Sequence, residues 1–417
     1  MNINKFLKQE SIRFFLVLFI SIVITGCSSD NGVGPDDGNG NNPPTGRGAL
    51  VSSEFIGTYS TTSLQFLLDL YSMDLPVDLT YNVDAYKIVY LTLDANGTEV
   101  EASGAIFIPS GASSPPLLSY QHGTQPERNI VASVDPMNTV EAVIAASAGY
   151  LCCAPDYLGL GVSTMLHPYL IENASAGAVI DCIRAAKNYF TDNGISTNGQ
   201  LFLTGYSEGG YVTMAAHKGI EENYPGEFNI TASAPMSGSY DLIGTADEIL
   251  ISGTYGNPTF PTFLLLAYND TYNWNRLDEI FQSPYNSLVT GLFDGTNSTG
   301  YIDDQLPSDI NQLLTASFLT NYSNGTDTQF ISALENNSLL DWAPSAPMRL
   351  FHGDADDTVP YVNALTAYTE LSNNGATSIS LVTIPGGNHY TSIGPAINGM
   401  IEWFETFRTA VNFANAF

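Results

Sequence analysis

The chain has 417 residues, 44% of them hydrophobic, which suffices for the core of one large domain with an insertion and excludes a disordered protein. Its 42 acidic and 12 basic residues leave a formal charge of -30, which repels phosphate backbones and excludes nucleic acid as a partner. Only 13% of the residues are charged, so Ser, Thr, Asn, Gly and Tyr must cover most of the surface, a composition common outside the cytoplasm.

Lys5, Lys8 and Arg13 precede an apolar run over residues 14–24, followed by Thr25-Gly26-Cys27. This is the three-part layout of a secretory signal, and the run is about half the ~20 apolar residues a membrane-spanning helix needs. The segment Ile24-Thr25-Gly26-Cys27 resembles the lipobox of bacterial lipoproteins. That resemblance implies that residues 1–27 are a signal peptide, that Cys27 is lipidated as the mature N-terminus, and that the exported chain is anchored in a membrane of the cell envelope. Residues 28–48 are Gly, Asn, Asp, Pro and Ser without apolar periodicity and read as a flexible tether. Cys152, Cys153 and Cys182 have no zinc-type spacing and read as small buried apolar side chains, with a disulfide to Cys182 left open.

From residue 49 the periodicity predicts an opening helix over 63–75, then a hairpin of strands 86–93 and 100–108 around the turn Asp94-Ala95-Asn96-Gly97. Short apolar strands then alternate with helices: strand 117–121, helix 139–148, strand 150–154, helix 174–190, strand 201–204, a helix after 209 and a strand near 230–234. Alternation of this kind implies an α/β fold whose mostly parallel sheet has helices on both faces. Strand signals become sparse between about 240 and 342, where helical patterns appear at 307–322 and 328–340. The alternation resumes with strand 348–351, a helix from 361, strand 378–384 and a last helix ending near 413. We therefore expect a core of residues 49–240 and 343–417 interrupted by a mainly helical cap over 241–342.

The strongest chemical signal is Gly205-Tyr206-Ser207-Glu208-Gly209, a G-x-S-x-G between an apolar strand and a helix. Its glycines permit the strained turn that lifts a serine hydroxyl above a sheet, although a glycine-bearing strand-to-helix turn can also be merely structural. A serine nucleophile needs a base, and the base needs an acid to hold its tautomer; on such sheets the chain order is Ser, acid, His. Strand 348–351 runs into Asp354, Asp356 and Asp357, and the last strand into His389, both just past strand C-terminal ends. The backbone N–H of Glu208 and of Thr124, the latter in the loop after strand 117–121, are the expected oxyanion donors. His122 stands out of chain order and reads as shaping that loop, and His167 and His217 read as surface or packing residues.

Gly205-Tyr206-Ser207-Glu208-Gly209-Gly210, Ala154-Pro155-Asp156-Tyr157 with Gly159, Asp181-Cys182-Ile183-Arg184-Ala185-Ala186 and Asp356-Asp357-Thr358-Val359-Pro360-Tyr361 together resemble the secretory lipase family of α/β-hydrolases. The resemblance runs in order from about residue 64 to 407. It implies an ester or lipid hydrolase with a helical lid and no cofactor. Its acid loop matches Gly353-x-x-Asp356-x-x-Val359-Pro360, which singles out Asp356 and leaves Asp354 and Asp357 as turn or helix-start carboxylates. The lipobox and Glu208 beside the nucleophile depart from the fungal members. Two other readings stand beside a carboxylesterase or lipase using Ser207, Asp356 and His389. One is a serine peptidase or acyl-amidase, which the 12 basic residues disfavour by limiting carboxylate clamps; the other is a surface binding protein on an inactive fold, which would require a missing triad member. Acyl chain, alcohol and oligomeric state are not legible in the sequence.

Overall fold

The computed structural model describes residues 45–253 and 255–414. The expected signal peptide, Cys27 and nearly all of the expected tether therefore lie outside the described residues. The last residues of that stretch, Arg47 and Gly48, belong to the fold: the Arg47 guanidinium donates to the Asp181 carboxylate at 3.0 Å and Gly48 N–H to the Leu91 carbonyl.

The chain opens with strand β1 (Leu50–Tyr59) and helix α1 (Thr61–Leu70), whose first turn is capped by the Ser60 hydroxyl. The expected helix thus starts and ends earlier than its periodicity suggested, and a strand precedes it. β1 escapes detection because it is an edge strand, hydrogen-bonded on one side only and half-exposed along its length, so its sequence carries no alternation. The hairpin β2 (Val83–Leu93) and β3 (Glu99–Pro109) pairs antiparallel in unbroken register. There follow β4 (Leu117–Gln121), α2 (Val140–Ser147), β5 (Leu151–Pro155), α3 (Glu172–Asp192), β6 (Leu201–Tyr206), α4 (Glu208–Asn223) and β7 (Ile230–Met236).

Among the described residues nine strands form one sheet in the order β1-β2-β3-β5-β4-β6-β7-β8-β9, where β8 is Met348–Gly353 and β9 is Ile379–Ile384. β1, β2, β3 and β5 are joined antiparallel, and every pairing from β5 through β4 to β9 is parallel. The expected mostly parallel sheet is borne out. Chain order reverses at β4: the connection to β5 leaves toward one edge and β6 lies on the other side. The loops after β4 and β6 therefore part from each other, and the crevice between them is where open α/β sheets hold their ligands.

Side chains alternate between two buried layers. Leu201 and Leu203 of β6 pack with Val179 and Ile183 of α3 and Val212 of α4, whereas Phe202 between them packs with Val143 of α2 and with Met400 and Phe404 of the last helix, α14 (Ile393–Ala414). Cys152, Cys153 and Cys182 are free and buried, Cys152 facing the second layer and the other two the first. Asp181 of α3 is fully buried and takes hydrogen bonds from Arg47, Arg184 at 2.6 Å and Thr92 at 2.7 Å, which binds the start of the domain to the sheet.

Between β7 and β8 the described residues form the helices α5 (Leu242–Ser252), α6 (Thr259–Thr271), α7 (Leu277–Ile280), α8 (Tyr285–Leu292), α9 (Thr299–Gln305), α10 (Ile310–Leu313), α11 (Ala316–Ser323) and α12 (Thr328–Asn337), with an isolated antiparallel bridge between Phe281 and Leu314. Several are one or two turns long and are started by side-chain caps, for example Asp309 on Asn311 N–H, Thr315 on Phe318 N–H and Asp327 on Phe330 N–H. α13 (Tyr361–Asn373) links β8 to β9.

Candidate active site

Ser207 stands between β6 and α4 with φ 61° and ψ -122°, a conformation costly for any residue with a side chain. Neighbouring glycines make this turn possible by close approach. A β-carbon on Gly205 would lie 2.4 Å from the Gln121 carbonyl oxygen, and one on Gly209 would lie 2.0 Å from it. The Ser207 N–H is tied to the Met236 carbonyl at 2.9 Å, fixing the elbow to β7.

The three residues that chain order and the acid-loop pattern single out meet at this point. His389 Nε2 is 2.9 Å from Ser207 Oγ, and His389 Nδ1 is 2.8 Å from Asp356 Oδ2. The imidazole is 6% exposed, and the backbone carbonyl of His389 accepts the Tyr206 hydroxyl at 2.6 Å, so the residue before Ser207 anchors the histidine loop. Asp356 Oδ1 accepts the N–H groups of Thr358 and Val359, both at 2.9 Å. Its Oδ2 also lies 3.3 Å from Nε2 of His352, which donates to the Val359 carbonyl at 2.8 Å. Burial would raise the Asp356 carboxyl, yet hydrogen bonds from His352 and His389 hold it well below the usual carboxylate range. Of its neighbours, Asp354 is exposed and accepts Gly386 N–H at 2.6 Å, and Asp357 is exposed.

The loop after β4 passes beside Ser207: a β-carbon on Gly123 would stand 3.7 Å from Ser207 Cβ. Among the described residues no acceptor takes the N–H of Thr124 or of Glu208. The loop is held from behind. His122 stacks on Tyr157 at 4.1 Å, and its ring nitrogens face the carbonyls of Gly123 and Asp156. Tyr157, at φ 71°, donates to the His122 carbonyl at 2.9 Å. Asp156 is wholly buried, where desolvation raises its carboxyl against the Ser103 and Ser133 hydrogen bonds that lower it.

Two histidines do more than the sequence suggested. His167 is buried, its Nε2 2.6 Å from Glu208 Oε1 beside Ser207, a pairing across 41 residues that no local pattern announces. His217 is fully buried between Ser233 Oγ at 2.7 Å and Glu221 Oε1 at 2.9 Å. That second Ser-His-Glu arrangement is sealed inside the fold, since Ser233 is also fully buried, and it fastens α4 to β7 and, through Glu221, to Ser345 and Ala346. Burial would raise the Glu221 carboxyl, but His217 and those backbone donors bring it down to about 2, against an ordinary 4.5. A carboxyl depressed in the folded chain stabilises it above the ordinary value and loses that contribution as pH falls toward the folded one. Glu221→Gln is thus expected to lower Tm at pH 7 and to converge on wild type between about pH 4.5 and about pH 2. Calorimetry across that range checks it; a Tm gap independent of pH contradicts it.

A narrow cavity opens on Ser207 and Glu208 and runs between α5, α6 and α12, walled by Ile249, Phe260, Leu264, Leu265, Phe330 and Leu334 among others. Tyr169 closes one side, stacked on Phe263 of α6 at 4.9 Å.

The model of the secretory lipase family matches residues 131–409. A solved structure of the rice cell wall degrading esterase LipA from Xanthomonas oryzae is 30% identical, with TM-score 0.79 over 86% of this chain and 98% of that one. Lipase 4 of Candida albicans is 25% identical over 260 residues, 58% of this chain but only 52% of that protein, so this chain spans about half the length of that relative. Candida antarctica lipase A, at 18% identity and TM-score 0.60, shares the fold over 85% of this chain. The chain therefore belongs to the secretory lipase family, on an α/β-hydrolase fold.

Proposed function

We propose that the protein cleaves carboxylic esters through an acyl-enzyme on Ser207. The observation that carries this reading is the hydrogen-bonded line Ser207–His389–Asp356 at the mouth of an apolar cavity. His389 takes the Ser207 proton as the oxygen attacks the ester carbonyl, and the ionised Asp356 stabilises the imidazolium. The N–H groups of Glu208 and Thr124 take the oxyanion of the tetrahedral intermediate. His389 then protonates the leaving alcohol, and water reverses the sequence on the acyl-enzyme. A chain-length series of p-nitrophenyl esters tests this, with an aminoacyl anilide as control; turnover of the anilide but of no ester favours the peptidase alternative.

Residues 241–342 act in this reading as a cap that receives the acyl chain. Leu264 lines the cavity from α6, so Leu264→Trp should shorten it and lower kcat/KM for octanoyl and longer esters by ~10-fold or more, with acetyl and butyryl esters little changed. A variant with lower Tm but an unaltered chain-length profile would mean that the cap is scaffolding only.

Export fits the family, and the finer reading is a lipid anchor on Cys27, supported by Ile24-Thr25-Gly26-Cys27 at the end of the apolar run. Mass spectrometry of the mature N-terminus should find a diacylated cysteine. A free N-terminus at any other residue would falsify it.

A further inference from the structure

Glu208 does more than contribute a backbone N–H. The residue lines the cavity beside Ser207, and its side chain is 1% exposed. Proton counting fixes what its two oxygens can do. His167 Nδ1 lies 2.7 Å from the Leu158 carbonyl, which only accepts, so Nδ1 carries a proton. The 2.6 Å contact between His167 Nε2 and Glu208 Oε1 needs a second proton between the two atoms, on either side. Both placements leave Oε2 a bare acceptor and the pair neutral overall.

Among the described residues Oε2 has no partner, although it is buried. The neighbouring phenols do not supply one: Tyr157 donates to the His122 carbonyl, Tyr211 shares its one proton between the Asn337 and Leu170 carbonyls, and Tyr169, whose hydroxyl is 3.0 Å from Thr124 Oγ1, makes no hydrogen bond to Oε2. A buried acceptor without a donor is costly, and that cost becomes selectivity where a ligand brings the donor. Because the His167–Glu208 pair is neutral, it would not repay the desolvation of an ammonium group; a hydroxyl suits it. Glu208 directly follows the nucleophile, and the cavity beyond it is apolar, so the hydroxyl would sit near the scissile carbonyl and the hydrocarbon beyond.

Resting on the ester-hydrolase reading above, we propose that Glu208 is a specificity-determining residue. Its Oε2 accepts a hydrogen bond from a hydroxyl on the first carbons of the acyl group, so that hydroxyacyl esters are preferred to plain acyl esters of equal length.

The test compares ethyl butyrate, ethyl 2-hydroxybutyrate and ethyl 3-hydroxybutyrate by pH-stat, each kcat/KM divided by the rate of hydroxide-catalysed hydrolysis of the same ester. For the wild type, at least one hydroxy ester should exceed ethyl butyrate by ~10-fold or more. Glu208→Met keeps the backbone N–H but removes the acceptor, and the ratio should fall to near one. Glu208→Gln should keep most of the preference, because its amide N–H₂ can donate to the bare Nε2 of His167 and leave its carbonyl oxygen in the place of Oε2. A wild-type ratio of one or less for both hydroxy esters overturns the proposal without recourse to any variant, as does a Glu208→Met protein that labels with fluorophosphonate and keeps the preference. Wild type that hydrolyses none of the three esters and takes no fluorophosphonate overturns the hydrolase reading itself, whereas good turnover without preference overturns this proposal alone.

Discussion

Ser207→Ala is expected to leave a folded protein whose ester turnover falls by roughly a millionfold, as losing the nucleophile does in other triads. The strain of the elbow is unaffected, because Ala takes the same backbone with the same Cβ and the Gly205 and Gly209 contacts remain. Only the hydrogen bond to His389 Nε2 is lost, so Tm should move by a few degrees at most. Single-turnover and steady-state assays on protein matched for folded fraction check this. Residual turnover within about a hundredfold of wild type would mean that another group attacks the ester.

Asp356→Asn is expected to lower turnover by about four orders of magnitude, because an amide donates where the carboxylate accepted, disfavouring the tautomer that presents a bare Nε2 to Ser207. The contacts favour one of the three neighbouring carboxylates. Asp356 alone of them reaches His389, whereas Asp354 holds Gly386 in a surface turn and Asp357 is exposed. Asp354→Asn and Asp357→Asn should therefore keep turnover within a few-fold of wild type and cost ~1 kcal/mol or less in stability. The roles are wrong if either of those two is the inactive one at matched folded fraction. The Asp356 variant will also lose some stability, since its carboxylate gathers two backbone N–H groups and His352 as well as His389.

What the sequence revealed and what it hid have physical causes. The parallel part of the sheet was legible because strands buried on both faces, such as Leu201–Tyr206, read as continuous apolar runs between helical patterns. Ser207 and His389 stood out because the elbow needs glycines at fixed offsets and because both loops leave strand ends. Edge strand β1 was invisible for the reason given above. The short helices between β7 and β8 were legible only in outline, since an element such as Ile310–Leu313 is too short to show a period and is held by its cap and its neighbours. The pairs His167–Glu208 and His217–Ser233 join distant segments, and nothing in one strand or helix betrays a partner elsewhere. A buried polar residue, by contrast, announces itself only through what the fold brings to it: His352 reads as a strand-end residue until Asp356 and the Val359 carbonyl are found around its Nε2.

The most direct measurement is active-site labelling with a fluorophosphonate, followed by peptide mapping. Ser233 also touches a histidine but is sealed from solvent, so it serves as an internal control for geometry without access. The account predicts one equivalent of adduct on the peptide carrying Ser207, none on the peptide carrying Ser233, and no adduct after Ser207→Ala. Stoichiometric adduct on any other residue, or a fully active enzyme that resists the reagent, contradicts it.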